Sequence, residues 1–209
     1  MPRQTPGPRS RLLRWSVIAA LSLFACRGAT ESPPVLGSIP DFVLIDQNSK
    51  PFGTEQLRGS VWVADFIFTS CPDMCPMLTS AMASIEREIA KDPGFEDVRF
   101  VSISVDPDND TPAVLAEYAE KYAAAGARWA FLTGTRPEIW KLSTEGFHLP
   151  VERADRTQGG PIFHSNRFVL TDRRGRIRGY YDGLDSNARD ALIADLKRVA
   201  GESTDAGAS

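Results

Sequence analysis

The chain lacks a basic stripe, an internal repeat and any run that spans a bilayer comfortably, and it holds only three cysteines and two histidines in 209 residues. Each absence removes a class of function. Four of the 24 basic residues, Arg3, Arg9, Arg11 and Arg14, are the only charges before Cys26, and 20 basic against 27 acidic residues remain after it. So mildly acidic a body excludes nucleic acid as a partner. The apolar run Trp15 to Ala25 is too short for a comfortable transmembrane span. A composition of 42% hydrophobic and 24% charged residues excludes a disordered or fibrous chain and suffices for one buried core. Cysteines this sparse can be taken one by one: Cys26 follows the leader, and Cys71 and Cys75 form a pair.

The leader reads as an export signal, with a basic stretch ending at Arg14 and a short apolar run after it. Leu23-Phe24-Ala25-Cys26 resembles a lipoprotein box, in which the cysteine is lipidated and becomes the mature N-terminus. The expectation is a signal peptide over 1–26 and a protein exported to the periplasmic side of a bacterial membrane, lipid-anchored at Cys26. Cys71 and Cys75 are then an even pair in an oxidising compartment. Residues 27–38 (RGATESPPVLGS) read as a linker, 39–200 as the folded domain and 201–209 as a flexible tail.

Strands and helices alternate within the domain. Asp41 to Asp46 is a short strand. Val61 to Thr69 (VWVADFIFT) looks like a central strand buried on both faces. Leu78, Met82, Ile85 and Ile89 fall on one face of a helix over Met77 to Lys91. Val98 to Val105 is a second buried strand. Thr111 caps a helix that opens with Pro112 and runs through Ala124. A strand over Trp129 to Thr133 and a helix over Arg136 to Phe147 follow. A hairpin pairs Arg167 to Thr171 with Ile177 to Tyr181, and a helix over Ser186 to Val199 closes the domain. The order predicts an α/β, thioredoxin-like fold: a central mixed sheet flanked by helices, with a C-terminal β-hairpin and helix.

The chemistry lies where the central strand ends, at Ser70-Cys71-Pro72-Asp73-Met74-Cys75-Pro76. Two thiols four residues apart near the positive end of a helix favour the thiolate, the form that binds metals and attacks disulfides. Such a pair suits Cu(I), and an added imidazole broadens the site to Cu(II) or zinc. A merely stabilising disulfide is a poor explanation, because so short a loop removes little unfolded-state entropy. His164 is the candidate third group: it directly precedes the strand at Arg167, and in a thioredoxin-like fold that loop faces the cysteine turn. Thioredoxins place a cis-proline in this loop. Here Ser165 follows His164 and Pro161 lies three residues before it, a departure that favours a ligand over general disulfide exchange. His148 reads as a surface residue. Asp73 either caps the following helix or contacts a ligand or partner. The run Asp106-Pro107-Asp108-Asn109-Asp110 imitates a calcium loop, but Thr111 replaces the glycine of the sixth position. Its acids are expected to flank the metal or a docking surface. Tyr180 and Tyr181 suit either docking or packing.

The blocks FIFTSCPDMCPMLTSAM, SVDPDNDTPAVLAEYA and HSNRFVLTDRRGRIRGYYDG together resemble the SCO/SenC family of copper-binding proteins over roughly Pro40 to Val199. The resemblance implies one copper held by Cys71, Cys75 and His164. It also implies a role as a metallochaperone, a carrier rather than an enzyme, for the binuclear copper centre of cytochrome c oxidase. The partner implied is the copper-accepting subunit of that oxidase or another copper protein. The alternative is a thiol–disulfide oxidoreductase in which Cys71 and Cys75 are the redox-active pair reducing the acceptor's cysteines. A peroxidase built on Thr69 and Arg167 fits the paired cysteines less well. Family members are often anchored by a transmembrane helix, and the short leader here differs from that form.

Overall fold

The computed structural model describes residues 31–122, 128–154 and 162–202; Cys26 and its leader, Pro161 and residues 203–209 lie outside the described residues. In chain order come β1 (Gly37–Ser38), β2 (Val43–Asp46), β3 (Pro51–Gly53), α1 (Thr54–Leu57) and β4 (Trp62–Ile67). Then follow α2 (Met74–Ile89), β5 (Arg99–Ser104), α3 (Pro112–Lys121), β6 (Trp129–Thr133) and α4 (Arg136–Lys141), which continues as a π turn over Leu142–Gly146. Last are β7 (Val151–Arg153), β8 (Ile162–His164), β9 (Arg167–Thr171), β10 (Arg176–Asp182) and α5 (Ser186–Ala200).

The main sheet runs in the order β1-β10-β9-β4-β5-β6-β2-β3. β4 pairs in parallel with β5, and β5 with β6, while β9 lies antiparallel against the other side of β4. This is the mixed, helix-flanked sheet of a thioredoxin-like fold. All six residues of β4 are buried. Val63 and Ile67 point into one core with Leu78, Met82, Leu192 and Leu196; Trp62, Ala64 and Phe66 point into the other with Ile139, Phe147 and Leu149. A strand buried on both faces tolerates few polar residues, and each large apolar side chain it buries contributes roughly 2 kcal/mol. Asp65 therefore stands out in its middle.

Most boundaries follow the sequence reading. The helix expected from Met77 begins at Met74, so Cys75 and Pro76 lie in its first turn. Thr111 Oγ1 accepts from Val114 N as the expected cap, but the helix it opens ends at Lys121, inside the expected limit. Two segments differ in kind. The end of the expected linker is β1, paired with Ile177 and Arg176 of β10, and the carbonyl of Pro33 accepts twice from the Arg178 guanidinium. At the other terminus Glu202, the second residue of the expected tail, binds the same guanidinium through both carboxylate oxygens. The β7–β8 hairpin was not foreseen: each strand is three residues long, and residues 155–161 between them lie outside the described residues.

Candidate metal centre

The strand β4 delivers the chain at the end of the sheet, and α2 turns it back within seven residues. Asp73 occupies the N-cap position but makes no side-chain cap bond. The sulfur of Cys71 accepts from Cys75 N at 3.3 Å instead. Cys71 is thus not a turn below Cys75 on the same helix but a sulfur lying under the helix end, where unpaired N–H groups point. Burial pushes the Cys71 thiol up, yet hydrogen bonds from Cys75 and from the backbone of Asp73 and Met74 outweigh it, holding the thiol below its ordinary value. Cys75, the second residue of α2, is buried. Burial pushes its thiol well up; the Phe68 backbone opposes this, and the neighbouring Cys71 and Asp65 raise it further. Both cysteines are free.

His164 closes the site from the opposite side. β8 ends at this residue, and its Nε2 lies 3.3 Å from Cys75 Sγ across 89 residues of sequence. Nδ1 sits 2.9 Å from the Ser165 carbonyl. A carbonyl only accepts, so the neutral ring carries its proton on Nδ1 and turns the Nε2 lone pair toward the sulfur. Burial holds the imidazole below its ordinary pKa, with the Ser165 carbonyl opposing, which keeps it neutral at physiological pH. The Phe68 ring packs edge-on against it, centroids 5.6 Å apart. A neutral imidazole whose second nitrogen is tied to a carbonyl is how histidine is presented to a metal. Cys75 Sγ and this nitrogen are soft donors in contact, and the half-exposed Cys71 Sγ lies on the Cys75 amide. Among the described residues no group of three His, Cys, Asp or Glu side chains is already gathered closely enough to hold a metal. Phe163 and Met77, 55% and 59% exposed, are apolar neighbours in sequence of His164 and Cys75.

The remaining sequence candidates separate. Asp106 and Asp110 are buried, Asp110 against Thr69 two residues before Cys71, whereas Asp108 is 63% exposed and pairs with Arg136. Thr69 donates its hydroxyl to Asp110 at 2.5 Å and Arg167 is exposed, which leaves a peroxidase pocket without its threonine. Tyr181 donates to Asp195 and Tyr180 to the Phe147 carbonyl, so both pack rather than dock. His148 is exposed, as expected. One residue was overlooked. Asp65, wholly buried on the same face of β4 as Val63 and Ile67, accepts from Ser102 Oγ at 2.6 Å and leaves Oδ2 without a partner. Burial pushes it up to about 7, with Ser102 opposing. The signal was present as a single charge within WVADFIF.

A thioredoxin-like fold carrying a free dithiol at the strand-to-helix turn, with an imidazole on one sulfur, defines a class of dithiol proteins equipped to hold a soft metal. The family model described as SCO1/SenC matches residues 32–201, and the chain belongs to that family. The chain is similar to a SCO1/SenC family lipoprotein of Bacillus anthracis, at 36% identity and a TM-score of 0.72, covering 78% of this chain and 95% of that one. It also resembles BsSco, described as a member of the Sco family of cytochrome c oxidase assembly proteins and as having a disulfide switch, at 31% identity and a TM-score of 0.71, over 82% and 98% of the two chains. The copper-bound ScoI of Bradyrhizobium japonicum matches at 28% identity and a TM-score of 0.65, over 78% and 99%.

Proposed function

We propose that this chain is a copper carrier that holds one copper ion through Cys71 Sγ, Cys75 Sγ and His164 Nε2 and delivers it to the copper-accepting subunit of cytochrome c oxidase or to another copper protein. The observation that carries this reading is the 3.3 Å approach of His164 Nε2 to Cys75 Sγ with Nδ1 committed to a carbonyl. Copper replaces the thiol protons, and the ion is cargo, passed on when the acceptor's own ligands displace these one at a time. Cys71, half-exposed, is the first ligand an acceptor meets. Support comes from the copper-bound ScoI relative and from BsSco's place among oxidase assembly proteins. The lipoprotein relative supports a chain anchored by a lipid on Cys26 outside the cytoplasm. Among the described residues no helix is long and apolar enough to cross a membrane.

The test is copper stoichiometry and the thiolate-to-Cu(II) absorption of the reduced protein beside His164→Ala. One copper per chain, with the affinity cut about tenfold or more in the variant, is expected. A wild type that holds no copper after dialysis, or a variant that binds as well, ends this reading.

The unequal thiols favour a second activity at the same site. Cys71 is the more acidic and more accessible, so its thiolate attacks an acceptor disulfide; Cys75 then displaces the mixed disulfide. The acceptor gains two thiols and this chain keeps a Cys71–Cys75 disulfide. His164→Ala should leave this exchange nearly intact, whereas Cys75→Ser should trap the mixed disulfide.

A further inference from the structure

The cysteines and the histidine reach the site on different pieces of the fold. Cys71 follows β4 through Thr69, within the main sheet's connections, whereas His164 ends a two-stranded hairpin outside that sheet. His164 is joined to the main sheet through Ser165 and Asn166 into β9, and the loop from Asp106 to Asp110 touches both pieces as well. On the cysteine side, Asp110, wholly buried, accepts from Thr69 N at 3.0 Å and Thr69 Oγ1 at 2.5 Å, two residues before Cys71. Ser104 Oγ donates to the same carboxylate at 2.5 Å and accepts from Asp106 N at 3.1 Å. On the histidine side, Asp106 Oδ1 accepts from Arg153 Nη2 at 3.1 Å, while Asn109 holds its other oxygen at 2.6 Å. Arg153 lies in β7 opposite Ile162, two residues before His164, and Val151 stands opposite His164 itself. A continuous hydrogen-bonded path therefore runs from Thr69 through Asp110, Ser104 and Asp106 to Arg153.

We infer that Asp106 and Asp110 are positioning residues for the metal site, one loop bracing the cysteine turn with Asp110 and the histidine hairpin, through Arg153, with Asp106. This rests on the copper reading. It assigns the acids a role without placing them on the metal, and it divides their effects. Cu(I) is satisfied by two thiolates, whereas Cu(II) gains from the imidazole nitrogen. Loosening the histidine arm should thus weaken Cu(II) alone, and loosening the cysteine arm should weaken both oxidation states.

The experiment measures Cu(I) and Cu(II) affinities of the reduced protein, with the nitrogen hyperfine pattern of the Cu(II) form, in wild type, Arg153→Met, Arg153→Lys, Asp106→Asn and Thr69→Val, alongside thermal midpoints without metal. Arg153→Met and Asp106→Asn are expected to lose about tenfold in Cu(II) affinity, at the low end of what supporting residues contribute. Their nitrogen coupling should be weaker and their Cu(I) affinity unchanged, and Arg153→Lys should recover most of the loss. Thr69→Val should lose affinity for both ions. Wild-type affinity and spectra in Arg153→Met overturn the inference while leaving the copper reading intact. Equal losses of Cu(I) and Cu(II) in that variant overturn it as well, since they mark general disruption. A wild type without copper binding ends both. If Asp106→Asn does not fold, the two Arg153 variants decide.

Discussion

At the start of β4, where β9 and β10 bring the other end of the sheet, Arg178 is 5% exposed and all three guanidinium nitrogens are committed. Nε and Nη2 donate to the Pro33 carbonyl, Nη1 to Asp172, and Nη1 and Nη2 to the two oxygens of Glu202. At the end of β4 the contacts are longer and involve sulfur, Cys71 Sγ with Cys75 N and Cys75 Sγ with His164 Nε2, each at 3.3 Å. The difference separates two uses of polar groups in one fold. Around Arg178, charge is met by charge at full hydrogen-bonding distance, and the cluster ties both ends of the domain together. Around Cys75, the donor lone pairs are held in place but not strongly consumed, which is the condition for accepting and releasing a ligand.

The largest effect expected from disturbing this contrast is at the saturated end. Arg178→Met breaks the ion pairs to buried Asp172 and to Glu202 together with both bonds to Pro33, leaving Asp172 with Arg176 and two backbone amides. It should destabilise the protein by about 5 kcal/mol, toward the upper limit for breaking a buried pair, in urea or thermal unfolding. The accessibility of the thiols to alkylation should not change in the folded variant. A loss below about 1 kcal/mol would place Arg178 with ordinary surface ion pairs and remove the contrast.

Asp65 lies between the two ends and produces the next largest effect. Its folded pKa of about 7 stands above the ordinary 3.8. Between those values the folded protein keeps a proton that the unfolded chain has released, so stability falls as pH rises from about 4 to 7 and then levels off. Three units correspond to about 4 kcal/mol. Asp65→Asn should abolish this slope and unfold later than wild type at pH 8. Parallel pH profiles for the two proteins would show that Asp65 is ionised at no such cost, through hydration of Oδ2.

What was legible in the sequence divides along similar lines. The central strand, the helix periodicities and the cysteine turn are local patterns, and they were readable because apolar spacing and two nearby thiols need no knowledge of distant residues. His164 was reachable by placing its loop within a fold. The β7–β8 hairpin was not, since VER and IFH are too short to display a period and pair across residues 155–161. Nor was the docking of Pro33 and Glu202, because a Pro-Pro segment and an acidic tail look solvated until a buried arginine 145 and 24 residues away claims them. The acids of residues 106–110 were seen as a group but not told apart: burial, which sequence does not display for a polar loop, turns Asp106 and Asp110 inward and leaves Asp108 63% exposed.

The thiols themselves give the third effect, a ratio of rates. In the reduced protein at pH 7, iodoacetamide should modify Cys71 at least about tenfold faster than Cys75, since the first is half-exposed and held below its ordinary thiol value and the second is buried and pushed up. Mass spectrometry of the singly modified protein identifies the site. Equal rates would mean that the first turn of α2 opens freely in solution, and the copper reading would then lose its firm second ligand.

The smallest effect tests how that helix begins. Asp is among the best residues for an N-cap, and Thr111 shows the usual arrangement at α3, its hydroxyl accepting from Val114 N. Asp73 occupies the same position at α2 and makes no such bond, because the third helical residue there is Pro76, which has no N–H, and the Cys71 sulfur lies against the N–H of Cys75. Asp73→Ala should therefore change stability by less than about 0.5 kcal/mol, where Thr111→Ala should cost about 1 kcal/mol. Chemical denaturation of the reduced proteins measures both. A cost for Asp73→Ala equal to that of Thr111→Ala would mean that the carboxylate caps the helix in solution. The Cys71 sulfur would then have to compete with it for the same amides, and the depression of its thiol would shrink accordingly.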